Sequence, residues 1–114
     1  MHQDVYVGQK GEKIAIKWAA PEATLHNKFS IKSDVWLLGI VLYEIITNGK
    51  PPYPGMTNAE AEQQIRQGYC MFQPMGCPDK LYNIMLNCWR VEPANRPTFE
   101  SLQQQLANYD NSYA

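Results

Sequence analysis

Cysteine and histidine are the side chains of this sequence best suited to holding a metal or cross-linking the chain, and their spacing argues against both. The three cysteines, Cys70, Cys77 and Cys88, form no C-x-x-C pair and are odd in number. That pattern points to reduced thiols in a cytoplasmic protein rather than to a disulfide framework. His2 and His26 stand far from any second ligand type at metal spacing and read as surface histidines. No metal site is expected.

Any other chemistry must come from residues that a fold brings together, and the bulk numbers bound that fold. A chain of 114 residues has room for one small domain. Its apolar fraction of 45% is ordinary for a globular protein and too high for a disordered one. A net charge of -1 offers no basic field for nucleic acid or an anionic membrane. No apolar run approaches the roughly 18 to 20 residues that cross a bilayer, and Met1 to Val5 holds no apolar signal region.

The pattern along the chain predicts helices and loops, with no strand ladder. Met1 to Ile16 is polar and glycine-bearing and reads as an extended loop. Pro21 and Glu22 open a short helical turn through Leu25. Ser33 or Asp34 can cap a helix from Val35 to Ile46 that ends near Asn48-Gly49 and is apolar on nearly every face. Pro51 to Gly55 forces a turn. Thr57-Asn58-Ala59-Glu60 is a capping box opening a polar helix to about Arg66. After the loop from Gln73 to Pro78, a helix carries Leu81, Ile84, Met85, Cys88 and Trp89 on one face. Pro93 and Pro97 bracket a loop, and Thr98 caps a last helix with Leu102 and Leu106 facing inward.

Several blocks are more specific than periodicity. Lys17-Trp18-Ala19-Ala20-Pro21-Glu22-Ala23 resembles the end of a protein kinase activation segment, whose A-P-E signature is Ala20-Pro21-Glu22. The triplet alone is weak. It is followed by Phe29-Ser30-Ile31-Lys32-Ser33-Asp34-Val35-Trp36, Gly39 and Tyr53-Pro54-Gly55-Met56-Thr57-Asn58. Cys77-Pro78, Cys88-Trp89 and Asn95-Arg96-Pro97-Thr98-Phe99 complete the series in the family's order and at its spacing. Lys17-Trp18 and Tyr53-Pro54-Gly55-Met56 are similar to tyrosine kinases. The whole run resembles the Src-like cytoplasmic ones, with Asn27 to Ser33 nearest the Fyn-related kinase branch. The resemblance implies the lower part of the C-terminal lobe of a kinase domain, mainly α and without a sheet. Residues 1–22 would be the activation segment and substrate loop, and residues 23–114 the helical lobe.

The resemblance also implies roles. Tyr6 stands where the family's activation-loop phosphosite stands, and a phosphate there would add about -1.5 to -2 of charge and order the loop on arginines that lie upstream. Ile14 to Trp18 matches the loop presenting the substrate tyrosine, with Ile16, Lys17 and Trp18 as its site residues. Ala15 and Ala19 replace the family's usual proline and threonine, which loosens that loop. Ile14-Ala15-Ile16-Lys17 mimics the V-A-I-K strand whose lysine holds ATP phosphates, but the Trp18 to Glu22 run that follows at once fixes Lys17 in the substrate loop. Glu22 and Arg96 match an ion pair tying the activation segment to the last helices. Asp34 matches the helix residue that anchors the catalytic loop. Trp36, Trp89 and Phe99 are expected as core anchors. Leu37-Leu38 replaces a usual serine and phenylalanine, and Tyr113 reads as a surface tyrosine.

Phosphoryl transfer needs a glycine-rich phosphate loop, a lysine paired to a helix glutamate, a catalytic aspartate, an asparagine and a metal-binding aspartate. The 114 residues contain no H-R-D, no D-F-G and no such glycine-rich loop. The expectation is a part of a non-receptor tyrosine kinase that by itself has no catalytic residue and binds no cofactor. ATP and Mg would belong to the intact parent domain, whose partners would be tyrosine-bearing protein substrates and the missing N-lobe and catalytic loop. The alternative is a truncated binding module using the surface around Thr57 to Arg66. The apolar central helix would leave an exposed patch, so self-association is expected of the isolated chain.

Overall fold

A serine sets the start of the longest element. The computed structural model describes the backbone of residues 6–7 and 15–113 and the side chains of residues 15–108. Within it the central helix α2 runs Ile31–Ile46, four residues earlier than the expected start. Ser30 is its N-cap, with Oγ accepting from the N–H groups of Lys32 and Ser33 at 3.1 and 3.3 Å. Ser33 Oγ accepts in turn from the Ser30 N–H at 2.6 Å. The box thus places Ser33 at its third position, and neither Ser33 nor Asp34 is the cap. Thr47 closes the helix, and the chain leaves through Asn48 and Gly49 at φ of 60° and 91°.

The other elements wrap this helix. A single 3₁₀ turn, Ile16–Trp18, precedes α1, Pro21–His26, so Ile16 opens a turn rather than ending a loop. Proline at N1 suits α1 because its missing N–H would be unsatisfied there anyway. Asn27, in the left-handed region at φ 54°, ends α1. The capping box at Thr57 forms as the sequence predicts and opens α3, Asn58–Arg66, which buries Ala61 and Ile65 one turn apart. Helix α4 spans Asp79–Cys88 and buries Leu81, Ile84, Met85 and Cys88, with Trp89 just beyond them. Thr98 Oγ1 accepts from the Ser101 N–H at the head of α5, Phe99–Tyr113.

The architecture is mainly α. Its one addition to the expected scheme is a two-pair antiparallel ladder between β1, Tyr6–Val7, and β2, Lys28–Phe29, with Tyr6 opposite Phe29. Segments of two residues are too short to show the alternation by which a strand is read.

The core lies where α2 crosses α4. Val35, Trp36, Ile40 and Tyr43 meet Leu81, Ile84, Met85, Cys88 and Trp89, and Tyr53 and Met71 close one side. Gly39 sits at the crossing. A Cβ built there would lie 2.5 Å from Trp89 Nε1 and 2.8 Å from Cys88 Cβ. The glycine is required by close approach and not by backbone freedom. Trp36 and Trp89 are core residues, but Phe99 is 43% exposed. As the first residue of α5 it tilts toward the helix N-terminus, away from the rows that pack on α4.

One face of α2 is not covered. Asp34, Leu37, Val41 and Ile45 share it by helical spacing, and Leu37 and Ile45 are 41% and 66% exposed.

Two predictions come from this core. Gly39→Ala is expected to destabilise the chain by about 1 to 3 kcal/mol through overpacking, measured as a lower urea midpoint. Burial pushes the Cys88 thiol up to about 12 against a smaller opposing pull from Arg96, and burial likewise raises Tyr53. The native state holds these protons where the unfolded chain releases them, so stability is complete below pH 9. It is expected to fall as pH rises from 9 toward 12, in alkaline denaturation followed by circular dichroism.

Candidate functional site

Arg96 is the most fully committed polar side chain described. It is buried on the chain between a 3₁₀ turn, Pro93–Asn95, and Pro97. Its Nη1 and Nη2 each donate to a different oxygen of Glu22 at 2.8 Å, the bidentate geometry that a planar guanidinium favours. Nη1 also donates to the Lys32 carbonyl at 2.9 Å, Nη2 to that of Val91 at 3.2 Å and Nε to that of Arg90 at 2.8 Å. All the N–H donors of a guanidinium are thereby used. Lys32 Nζ donates back to the Arg96 carbonyl at 2.6 Å. The guanidinium lies 5.0 Å from the centroid of the Trp36 ring, within reach of a cation–π attraction.

This cluster joins three separate pieces of chain: α1 through Glu22, the first turn of α2 through Lys32, and the loop from Arg90 to Arg96. Glu22 keeps 16% of its side-chain surface exposed and the arginine none. A charge so placed is expensive to orphan.

The second cluster is built around the 3₁₀ turn. Two backbone bonds close it, from Trp18 N–H to the Ala15 carbonyl at 2.9 Å and from Ala19 N–H to that of Ile16 at 3.2 Å. None of its three residues is buried, and Ala15 gives no side-chain cap. The turn packs against α3 and α2. Trp18 Nε1 donates to Glu44 Oε1 at 2.9 Å, and Lys17 Nζ reaches the Tyr53 carbonyl at 3.5 Å. Tyr53 is itself held in a left-handed conformation at φ 49°, its N–H donating to Met71 Sδ at 3.1 Å.

The expected site residues therefore fall in separate places. Ile16, Lys17 and Trp18 form one turn, and Glu22 with Arg96 forms the clamp behind it. Asp34 is exposed on the first turn of α2, at the head of the uncovered face. The side chains of Tyr6 and Tyr113, and all of Ile14, lie outside the described residues. Sequence reasoning missed Glu44 and Lys32. Glu44 carried one faint signal, as the lone charge between Val35 and Ile46. Lys32 carried none.

Among the described residues no group of three His, Cys, Asp or Glu side chains could hold a metal ion. No described helix is long and apolar enough to cross a membrane.

Comparison with known proteins agrees with this frame. A family model described as protein tyrosine and serine/threonine kinase matches residues 1–106, and the chain belongs to that family. Within it the chain is the C-terminal part of a Src-like tyrosine kinase domain. It is 54% identical to tyrosine-protein kinase SRK3 of Spongilla lacustris, over 94% of this chain and 32% of that protein. To tyrosine-protein kinase FRK of Homo sapiens it is 53% identical, over 99% of this chain and 23% of that protein. SRK2 of Spongilla lacustris is 54% identical over 93% of this chain and 29% of its own. These near-equal identities place the chain in the family without separating its branches. The chain spans about a third or less of the length of these relatives.

Removing either partner of the clamp strands a buried charge, so Arg96→Ala and Glu22→Ala are each expected to cost about 3 to 5 kcal/mol. Urea denaturation of both, with the double variant, checks this. The double variant should lose much less than the sum of the two, since the pair acts as one unit.

Proposed function

We propose that the chain is the substrate-docking part of a non-receptor protein tyrosine kinase, in which the whole protein transfers the γ-phosphate of ATP to protein tyrosine. The observation that carries this is the 16–18 turn, held between α2 and α3 and continued directly into the clamped α1. A loop that presents a hydroxyl for in-line transfer must be held to within a fraction of an ångström of its place. In this reading residues 1–22 are the activation segment and substrate loop, and residues 23–114 are the helical lobe that carries them. Tyr6 is the phosphosite, and Glu22 with Arg96 is the brace that keeps the segment on the lobe.

In the same reading this chain alone does not catalyse. Most of the barrier reduction in phosphoryl transfer comes from metal ions and charged groups around the phosphates. Those groups, with ATP and Mg, belong to the rest of the intact domain, and Asp34 is where its catalytic loop would be anchored. The uncovered face of α2, with Leu37 and Ile45 exposed, is where the remaining half of the domain would pack, and it makes the isolated chain prone to self-association. The free thiols Cys70, Cys77 and Cys88 suit a cytoplasmic location.

A second reading is a non-catalytic binding module that uses α3 as its docking surface. The exposed polar residues of α3, among them Asn58, Glu60, Gln63 and Gln64, favour it.

Calorimetric titration of the purified chain with Mg-ATP separates activity from docking. The expected result is no saturable heat, beside saturable binding by an intact tyrosine kinase domain as control. Saturable binding by the chain would show a phosphate site among these 114 residues and overturn the proposal of inactivity.

A further inference from the structure

The chain between the turn and the clamp is extended. Ala19 lies at φ -94° and ψ 144°, and Ala20 at φ -65° and ψ 154°. Glu22 is fixed at the far end of this stretch by Arg96. An extended segment held at one end only would let the turn swing, so the position of the turn depends on what holds Trp18.

The turn cannot supply that by itself. It has two backbone bonds, no side-chain cap and no buried residue. Its two side-chain tethers differ in quality. Lys17 Nζ to the Tyr53 carbonyl is 3.5 Å, at the outer limit of a hydrogen bond, whereas Trp18 Nε1 to Glu44 Oε1 is 2.9 Å.

Glu44 is also out of place on any ground other than this bond. It is the lone charge in the apolar run from Val35 to Ile46 and sits in the last turn of α2. A carboxylate there faces the negative end of the helix dipole, which disfavours it. The buried indoles of Trp36 and Trp89 have no acceptor, whereas that of Trp18 has a carboxylate, the strongest kind of acceptor.

We infer that Glu44 is the positioning residue of the 16–18 turn, acting through the indole of Trp18. That the turn presents substrate rests on the kinase reading above; that Glu44 fixes the turn does not. Trp18 also packs against the core, and the bond to Glu44 fixes the direction of its indole there, between the small flanking residues Ala15 and Ala19.

The test uses the ¹⁵N-labelled chain, whose three tryptophans give three indole N–H resonances. Trp18→Phe assigns the Trp18 signal. Glu44→Leu is expected to move that signal while those of Trp36 and Trp89 stay in place. It is also expected to speed trypsin cleavage after Lys17 about five-fold relative to cleavage after Arg66, the change that losing one such bond produces. Glu44→Gln keeps an acceptor oxygen and should restore the rate to within about two-fold of wild type. An unmoved Trp18 resonance and unchanged cleavage in Glu44→Leu overturn the inference. Should that variant disturb all three indoles, Trp18→Phe decides. It removes the same bond from the other side, so a matching rise in cleavage after Lys17 supports the role and an unchanged rate refutes it. Failure of the kinase reading would appear instead as absent phosphorylation of a tyrosine peptide by the intact domain, with these resonances and rates unaffected.

Discussion

The guanidinium of Arg96 is the contact on which the arrangement of this chain depends. Burying a charge is unfavourable unless every donor is met, and here each N–H of the guanidinium has an acceptor and the charge has a bidentate carboxylate. Its partners lie as far as 74 residues away in sequence, so satisfying one side chain fixes three segments relative to one another. Hydrophobic burial is not directional and could not by itself specify that register. The clamp does so because only one placement of α1, the α2 N-terminus and the 90–96 loop gives the guanidinium all its acceptors.

Helix α2 turns that local constraint into a longer one. Lys32 near its start accepts from Arg96, and Glu44 near its end accepts from Trp18. Twelve residues of helix separate them, about 18 Å. The stretch from Trp18 to Glu22 is only four residues, at most about 14 Å even when fully extended. Side chains supply the difference. The extended backbone at Ala19 and Ala20 follows from this stretch, pinned at both ends of one rigid rod. Such an arrangement fixes the position of the 16–18 turn without burying any of its residues.

What could be read from the sequence divides by the range of the interaction. The capping box at Thr57 was legible because both halves lie three residues apart and use the common Thr and Glu. The box at Ser30 was not, since a serine at its third position made Ser33 and Asp34 look like equal candidates for the cap. The inward faces of α4 and α5 followed from spacing, whereas Phe99 matched the pattern and is exposed at the helix end. The Glu22 and Arg96 pair came from resemblance alone, because no local signal joins residues 74 apart. Lys32 and Glu44 were missed for the same reason. Their roles exist only once the fold has brought a carbonyl or an indole to them, and the two-residue ladder at Lys28–Phe29 is likewise a product of placement.

One guanidinium holds α1, the start of α2 and the 90–96 loop as a single unit. Native-state hydrogen exchange of Arg96→Ala, under conditions where the chain stays folded, tests it most directly. The amides of α1 and of the first turn of α2 are expected to lose protection together, while those in the middle of α4 keep theirs. Protection of α1 at the wild-type level in that variant would contradict it, and the register of these segments would then have to come from packing alone.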